Sequence, residues 1–355
     1  MIDYTLPSFK KVSAITHYHA AHFSLWKRVF AKPYLSTHSQ KITWKMDVNA
    51  IATVAWGNQT STSKYTIRME DGFIHSLGLG SDLVAPCSQV LDTTGIYFDA
   101  TRDNDLFQLL NGYGFDEPLL NRAAKLRSQI VAAGITKYNL CRAKPLWQKP
   151  SGKTVLLVIG QVGDDASVKL GALGEVKNID SLLQAVRALN QTAFIVYKPH
   201  PDVLSGNRKG LINAQQLCDV VDSEADIISL IEACDEVHTL SSLAGFDALL
   251  RGKRVVTYGS PFYAGWGLTT DLVGTIPYRE RAATIDMLTA AALILYPVYW
   301  DWDTQSFSTP ERIVEKLSHG AKRPLTHLNS ALRLTTKVTR WCVNVAKFYL
   351  AQLKG

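Results

Sequence analysis

The stretch EVHTLSSLAGFDALLRGKRVVTYGSPFYAGWGLTTD, residues 236–271, decides the fold. It reads as a short strand (Val237 to Thr239), a Ser241-Ser242 turn, a helix from about Ala244 to Leu250, a stop at Gly252 and a second apolar strand (Val255 to Tyr258). A unit of this kind places its first turn at the carboxyl edge of a parallel sheet and at a helix N-terminus, where backbone N–H groups and hydroxyls can receive an anion. The following loop, SPFYAGWGL, is packed with aromatics and glycines where a plain connection would be short and polar. It is expected to hold something in place.

Working back from this stretch, Thr154 to Ile159 (TVLLVI) is almost wholly apolar with no alternation, as expected of a parallel strand covered on both faces. It ends in GQVGDDAS, which delivers Asp164 and Asp165 to the same carboxyl edge. A helix from Ile179 to Leu189 precedes a strand from Ala193 to Tyr197, and KPHPDV follows, bringing Lys198 and His200 to that edge. A further helix, Ile227 to Cys234, leads into the opening stretch. Asp165, Lys198, His200, Ser241 and Ser242 therefore share one edge. Each alone fits a capping or structural role as well as a functional one; their convergence points to a phosphate site. That set needs no metal, and the two Asp-X-Asp matches, Asp103 to Asp105 and Asp301 to Asp303, fall elsewhere. A carboxylate on the rim can serve as nucleophile or as support for an oxocarbenium-like transition state.

The chain before residue 150 reads as a second unit of alternating strands and helices. Ile51 to Trp56 and Tyr65 to Met69 read as buried strands, Gly95 to Ala100 (GIYFDA) as another, and Asp105 to Leu110 and Leu119 to Val131 as helices. Glu70 and Asp71 stand at a strand tip before the glycines 78 and 80, a reasonable place for acid/base chemistry; a plain Asp-Gly turn is the competing reading. Between Cys141 and Lys153 the prolines, glycine and basic residues form a linker.

The 355 residues suffice for two cores, and 46% hydrophobic with 19% charged residues is a globular composition. A net charge of +7 and a pI near 9.0 favour anionic partners without choosing among them. Five scattered cysteines without a CxxC pair argue against a disulfide framework or a metal knot and suit a reducing cytoplasm. No run reaches the length of a membrane span. From Lys316 to Gly355 there is no acidic residue, and a helix over Ala331 to Leu353 would align Leu334, Val338, Trp341, Val345 and Phe348, with Arg333, Lys337, Arg340 and Lys347 beside them. Such a helix suits either an anionic membrane surface or a closing role on the first unit.

GIYFDATRDNDL, GQVGDDAS, KPHPDV and SLAGFDALLRGKRVVTYGSPFYAGWGLTTD together resemble the KpsC-type capsule polysaccharide biosynthesis proteins, retaining β-Kdo glycosyltransferases, over about residues 56–300. The resemblance implies two Rossmann-like domains in a GT-B-like arrangement with the active site in the cleft between them. It implies CMP-β-Kdo as donor substrate, no metal and no cofactor, and a saccharide or lipid-linked saccharide acceptor. By the resemblance His200 with Pro201, and Ser241 with Ser242, would hold the CMP phosphate. The acidic residue of a QxxxD pattern maps onto Asp165 through Gln161, as nucleophile of a double displacement, and Glu70 matches a glutamate placed to act as acid/base toward the acceptor. Asp247 stands where the family would carry glutamate, and His75 where it would carry arginine. The family's enzymes usually carry two such modules, and this chain has room for one.

The resulting expectation is an acceptor-side domain over 1–150, a CMP-sugar domain over 151–320 and a basic amphipathic helix over 321–355. The location expected is cytoplasmic, peripheral on the inner membrane face if the helix meets lipid. Substrate binding would rest on Gln161, Lys198, His200, Pro201, Ser241 and Ser242, and catalysis on Asp165 and Glu70. A catalytically silent nucleotide-sugar-binding scaffold is the alternative, disfavoured by two carboxylates facing a cleft. Nucleic acid is not expected as a partner, because the basic tail carries no recognised nucleic-acid motif.

Overall fold

The computed structural model describes residues 15–35, 41–47, 49–59, 61, 63–78, 80–139, 143–200, 214–320 and 330–353. Pro201 lies outside them. Two sheets form the frame. The first contains β1 (His17–Ala21), β2 (Lys41–Thr43), β3 (Ala52–Trp56), β4 (Thr66–Asp71) and β5 (Ser88–Asp92). The second contains β6 (Val155–Ile159), β7 (Phe194–Lys198), β8 (Val220–Val221), β9 (Glu236–Thr239), β10 (Arg254–Thr257) and β11 (Thr270–Asp271). The chain then returns to the first sheet with β12 (Pro297–Asp301) and β13 (Ser306–Ser308).

The second sheet is wholly parallel, in the order β11-β10-β9-β6-β7-β8. Its strands are covered on both faces, as β6 illustrates. Val155, Leu157 and Ile159 face a core shared with the first sheet, while Leu156 and Val158 face Leu182, Leu183 and Val186 of the helix Ile179–Leu189. The chain starts at β6, runs outward through β7 and β8, then crosses to β9 on the other side of β6. The strand order thus reverses between β6 and β9, and in such sheets the crevice beyond the carboxyl ends at that point is where ligands bind.

The first sheet is mixed, in the order β13-β12-β5-β4-β3-β1-β2. β1 to β4 run parallel; β5 is antiparallel to β4 and β12 to β5. Here the structure corrects one expected element. Residues Gly95–Ala100 are not a strand; the strand is Ser88–Asp92, every residue of which is buried. The Asp92 carboxylate accepts the N–H groups of Thr94, Gly95 and Asp105, bending the chain at once, and Asp99 N closes a turn onto Ile96 O. The run GIYFDA is largely buried, with Tyr97 and Phe98 half-buried, because it is wedged between the two sheets, with Ala100 N donating to Leu170 O of the second unit. Strands β12 and β13, inside the span expected for the second unit, pair with the first sheet.

The C-terminal helix, Ser330–Leu353, packs on the helix Leu25–Leu35 and the turn Gly80–Asp82. Arg340 Nη1 donates to Asp82 O at 2.7 Å and Lys337 Nζ lies 3.9 Å from the Asp82 carboxylate, so part of the basic side faces the protein. Leu334, Val338 and Trp341 point outward. Among the described residues no helix is long and apolar enough to cross a membrane.

Candidate active site

At the strand-order reversal, Gln161 follows β6 and Ser241 follows β9, and the two side chains bridge the crevice. Gln161 Oε1 accepts Ser241 N at 2.9 Å and Thr239 Oγ1 at 3.3 Å, while its Nε2 donates to Ser241 Oγ at 3.1 Å. Gln161 is buried, so these bonds satisfy an amide that would otherwise be stranded. Ser241 Oγ in turn donates to Ser167 O. Ser242 caps the helix Leu243–Leu250 through Ala244 N, and Ser242 N donates to Thr239 Oγ1.

Asp165 caps the short helix Ala166–Gly171: its Oδ1 accepts both the N–H and the hydroxyl of Ser167, at 2.9 and 2.8 Å. Its other oxygen takes no hydrogen bond from the described residues. The half-buried carboxylate is thus oriented by one oxygen and open at the other, beside the Ser167–Ser241 link. His200 reaches the same edge, since a Cβ on Gly160 would lie 3.0 Å from its backbone nitrogen. Lys198 does not join them. Its side chain is buried and Nζ donates to Ser223 O at 2.9 Å, and burial lowers its pKa against the pull of Asp222, Glu224 and Asp226.

The aromatic loop has a structural task. Phe262, Tyr263 and Trp266 are buried; Tyr263 OH donates to Ser242 O at 2.5 Å and Trp266 Nε1 to Phe262 O at 2.8 Å. Gly245 lets Tyr263 in, because a Cβ there would lie 2.2 Å from its hydroxyl. The loop therefore braces the serine turn from behind. Buried Asp247, on the same helix, accepts no hydrogen bond on its carboxylate from the described residues; burial pushes its pKa up to about 6, opposed by Arg251.

Glu70 and Asp71 stand at the carboxyl end of β4. Glu70 Oε1 accepts the N–H of Asp71 at 3.0 Å, and Oε2 would be 3.2 Å from a Cβ on Gly57. Burial, then the neighbouring Asp71 charge, raises the Glu70 pKa, against the opposing effect of Lys27 and Lys137. Lys27 Nζ sits 3.4 Å from the Trp56 ring centroid. Phe98 links this end to the other: its ring is 4.0 Å from that same Gly57 Cβ position, and its carbonyl 3.9 Å from the Cβ position of Gly171, where Ser241 Cβ is also 3.2 Å away. The carboxyl ends of both sheets thus border the wedge of Ile96–Ala100.

Sequence reasoning missed Ser167, Thr239 and Tyr263, which hold the turn, and Lys27 and Lys137, which face Glu70. The aspartates of both Asp-X-Asp matches are engaged. Asp103 and Asp105 accept from Gln108 and from Thr93 and Thr94, and Asp301 and Asp303 pair with Lys316. Among the described residues no group of three His, Cys, Asp or Glu side chains is placed to hold a metal ion.

Residues 135–299 match the family described as capsule polysaccharide biosynthesis protein. A solved chain titled Thermosulfurimonas dismutans KpsC, beta Kdo 2,7 transferase, superposes with a TM-score of 0.70 at 34% identity, over 85% of this chain and 98% of that one. This chain belongs to the KpsC-type capsule polysaccharide biosynthesis family. A second KpsC chain from the same organism, titled beta Kdo 2,4 transferase, gives a TM-score of 0.73 at 30% identity, over 84% and 97%. The two sheets are therefore the two Rossmann-like units of the GT-B-like KpsC fold. The capsule polysaccharide modification protein LipA of Neisseria meningitidis serogroup A is 43% identical over 296 residues, covering 78% of this chain and 42% of LipA. The chain thus spans less than half the length of that relative and nearly all of either solved KpsC chain.

Proposed function

We propose that this chain is a retaining β-Kdo glycosyltransferase of surface-polysaccharide biosynthesis, moving Kdo from CMP-β-Kdo to a glycan or glycolipid acceptor. The observation that carries the proposal is the oriented Asp165 carboxylate, open at one oxygen, beside the Gln161–Ser241 bridge at the strand-order reversal. The two solved relatives titled as β-Kdo transferases support the transfer of that sugar.

In the first step the open oxygen of Asp165 attacks the anomeric carbon of Kdo. The bond to the phosphate oxygen breaks, and CMP leaves with the electron pair, received by His200 and by the Ser242 hydroxyl, whose oxygen accepts Ala244 N and whose hydrogen remains to donate at the helix N-terminus. In the second step an acceptor hydroxyl attacks the same carbon, Glu70 takes its proton and the Asp165 carboxylate is released. Two inversions give net retention. A glutamate with a raised pKa suits the second step, because a general base works best when its pKa lies near the operating pH.

The test is CMP release on incubation with CMP-Kdo and a Kdo-terminated saccharide. Turnover with retained β configuration at the new linkage supports the assignment. CMP binding without turnover across such acceptors makes the chain a silent scaffold instead.

A further inference from the structure

Asp71 is held more firmly than a turn residue needs to be. Its Oδ1 accepts Gln89 Nε2 at 2.9 Å across the β4–β5 pairing and lies 3.2 Å from His75 Nε2. His75 is buried, and its other nitrogen, Nδ1, is 2.6 Å from Ser76 Oγ. The Ser76 hydroxyl hydrogen is already committed to Gly78 O at 2.8 Å, so Ser76 Oγ accepts from His75 Nδ1–H. Nε2 faces the Asp71 carboxylate, a contact that is an ion pair when the ring is protonated.

Glu70 is the next residue, and its carboxylate rests on the N–H of Asp71. The charged groups facing it are Lys27 from the helix Leu25–Leu35, Lys137 from the segment after the helix Glu117–Ala133, and Asp71 itself, with the Tyr97 hydroxyl from the wedge nearby. Among the described residues neither lysine ammonium makes a hydrogen bond or an ion pair. Asp71 is thus the anion that opposes two cations at Glu70, and His75 is the group that sets how much of that charge is felt.

We propose that Asp71 and His75 are the positioning pair of the acceptor-side acid/base: Asp71 pins the Glu70 carboxylate over Gly57 by its backbone N–H, and the balance of the ion pair sets the pH at which Glu70 gives up its proton. This rests on Glu70 acting in the proposed transfer. Burial opposes the ionisation of Asp71, yet His75, then Lys137 and Lys27, hold its pKa well below the usual carboxylate range, consistent with a permanent anion there.

The experiment is the pH profile of kcat/KM for transfer by the full chain, with cooperative melting confirmed for each variant. A wild-type limb that rises with pH and vanishes in Glu70→Gln establishes Glu70 as its source. Asp71→Asn keeps the shape and the Gln89 contact but removes the negative charge, and is expected to move that limb about one pH unit or more downward. His75→Gln removes the positive charge, keeps a donor and is expected to move it upward, which serves as the second variant should Asp71→Asn not fold. A limb that Glu70→Gln abolishes but that stays in place in the folded Asp71 and His75 variants overturns the pairing and leaves Glu70 intact. Full activity in Glu70→Gln overturns the Glu70 reading, and the inference with it.

Discussion

Phe73 lies against Phe262, ring centroids 4.6 Å apart and planes inclined by 33°. Phe73 follows the Glu70-Asp71 tip and Phe262 opens the aromatic loop that braces Ser242, so one ring contact ties the carboxylates at the end of β4 to the Ser241-Ser242 turn. Phe246, Tyr97 and Tyr296 pack around the same point. The alignment of the two sheet edges therefore depends on packing there.

Replacing Phe73 with alanine leaves a hole in that aromatic cluster. The expected cost is about 3–5 kcal/mol of stability, the range for phenylalanine truncation in a core, read by denaturant unfolding. A loss below about 1 kcal/mol would show that the contact is not a core contact.

Gly245→Ala puts a methyl group 2.2 Å from the Tyr263 hydroxyl. Either the helix or the loop must shift, at an expected cost of about 1–3 kcal/mol. Because Tyr263 holds Ser242 O, the Michaelis constant for the donor should rise as well. A donor constant that stays at the wild-type value would detach the loop from the phosphate turn.

Gln161→Ala strands the N–H of Ser241 in a mostly buried position, for an expected loss of about 1–3 kcal/mol. The loss should fall on donor affinity more than on fold if CMP occupies the crevice. Calorimetric titration with CMP checks this, and unchanged affinity would place the nucleotide elsewhere.

Glu70 has an ordinary pKa of 4.5 and one of about 7 in the folded chain. The folded state thus holds this proton more tightly than the unfolded state, so ionisation of Glu70 works against folding. Wild-type stability relative to Glu70→Gln should fall as pH rises from 4.5 to about 7 and level off above it. Chemical denaturation of both proteins across that window measures the difference, and a flat difference would deny the raised pKa.

Much of the second unit was legible because its elements announce themselves locally: TVLLVI has no polar face, Gly252 stops a helix, and Ser242 caps one. The carboxyl-edge placement of Asp165, Lys198, His200, Ser241 and Ser242 followed from that order alone, whereas Gln161 came from the family resemblance. The Gly95–Ala100 run was misread because burial between two sheets and burial within one leave the same apolar signature. The sequence separation between Ser88–Asp92 and Pro297–Asp301 hid their pairing, as no local pattern records a partner two hundred residues away. Lys198 read as a phosphate ligand from position; only the fold shows its ammonium spent on Ser223 O. The aromatic loop reads as holding something in place, and what its interior rings hold is the serine turn, braced from behind.

Asp165 serves two purposes that a pair of substitutions separates. Asparagine caps a helix about as well as aspartate, so Asp165→Asn should melt like the wild type while losing transfer by 1,000-fold or so, and Asp165→Ala should lose both transfer and about 1 kcal/mol of stability. An active Asp165→Asn would leave the residue as a cap alone.

The most direct measurement is the intact mass of the protein after brief incubation with CMP-Kdo in the absence of acceptor, followed by peptide mapping. A covalent Kdo adduct on the peptide containing Asp165, absent from Asp165→Asn and discharged by added acceptor, is the predicted result. An adduct on a different residue, or unmodified protein while CMP is being released, would contradict the double displacement through Asp165.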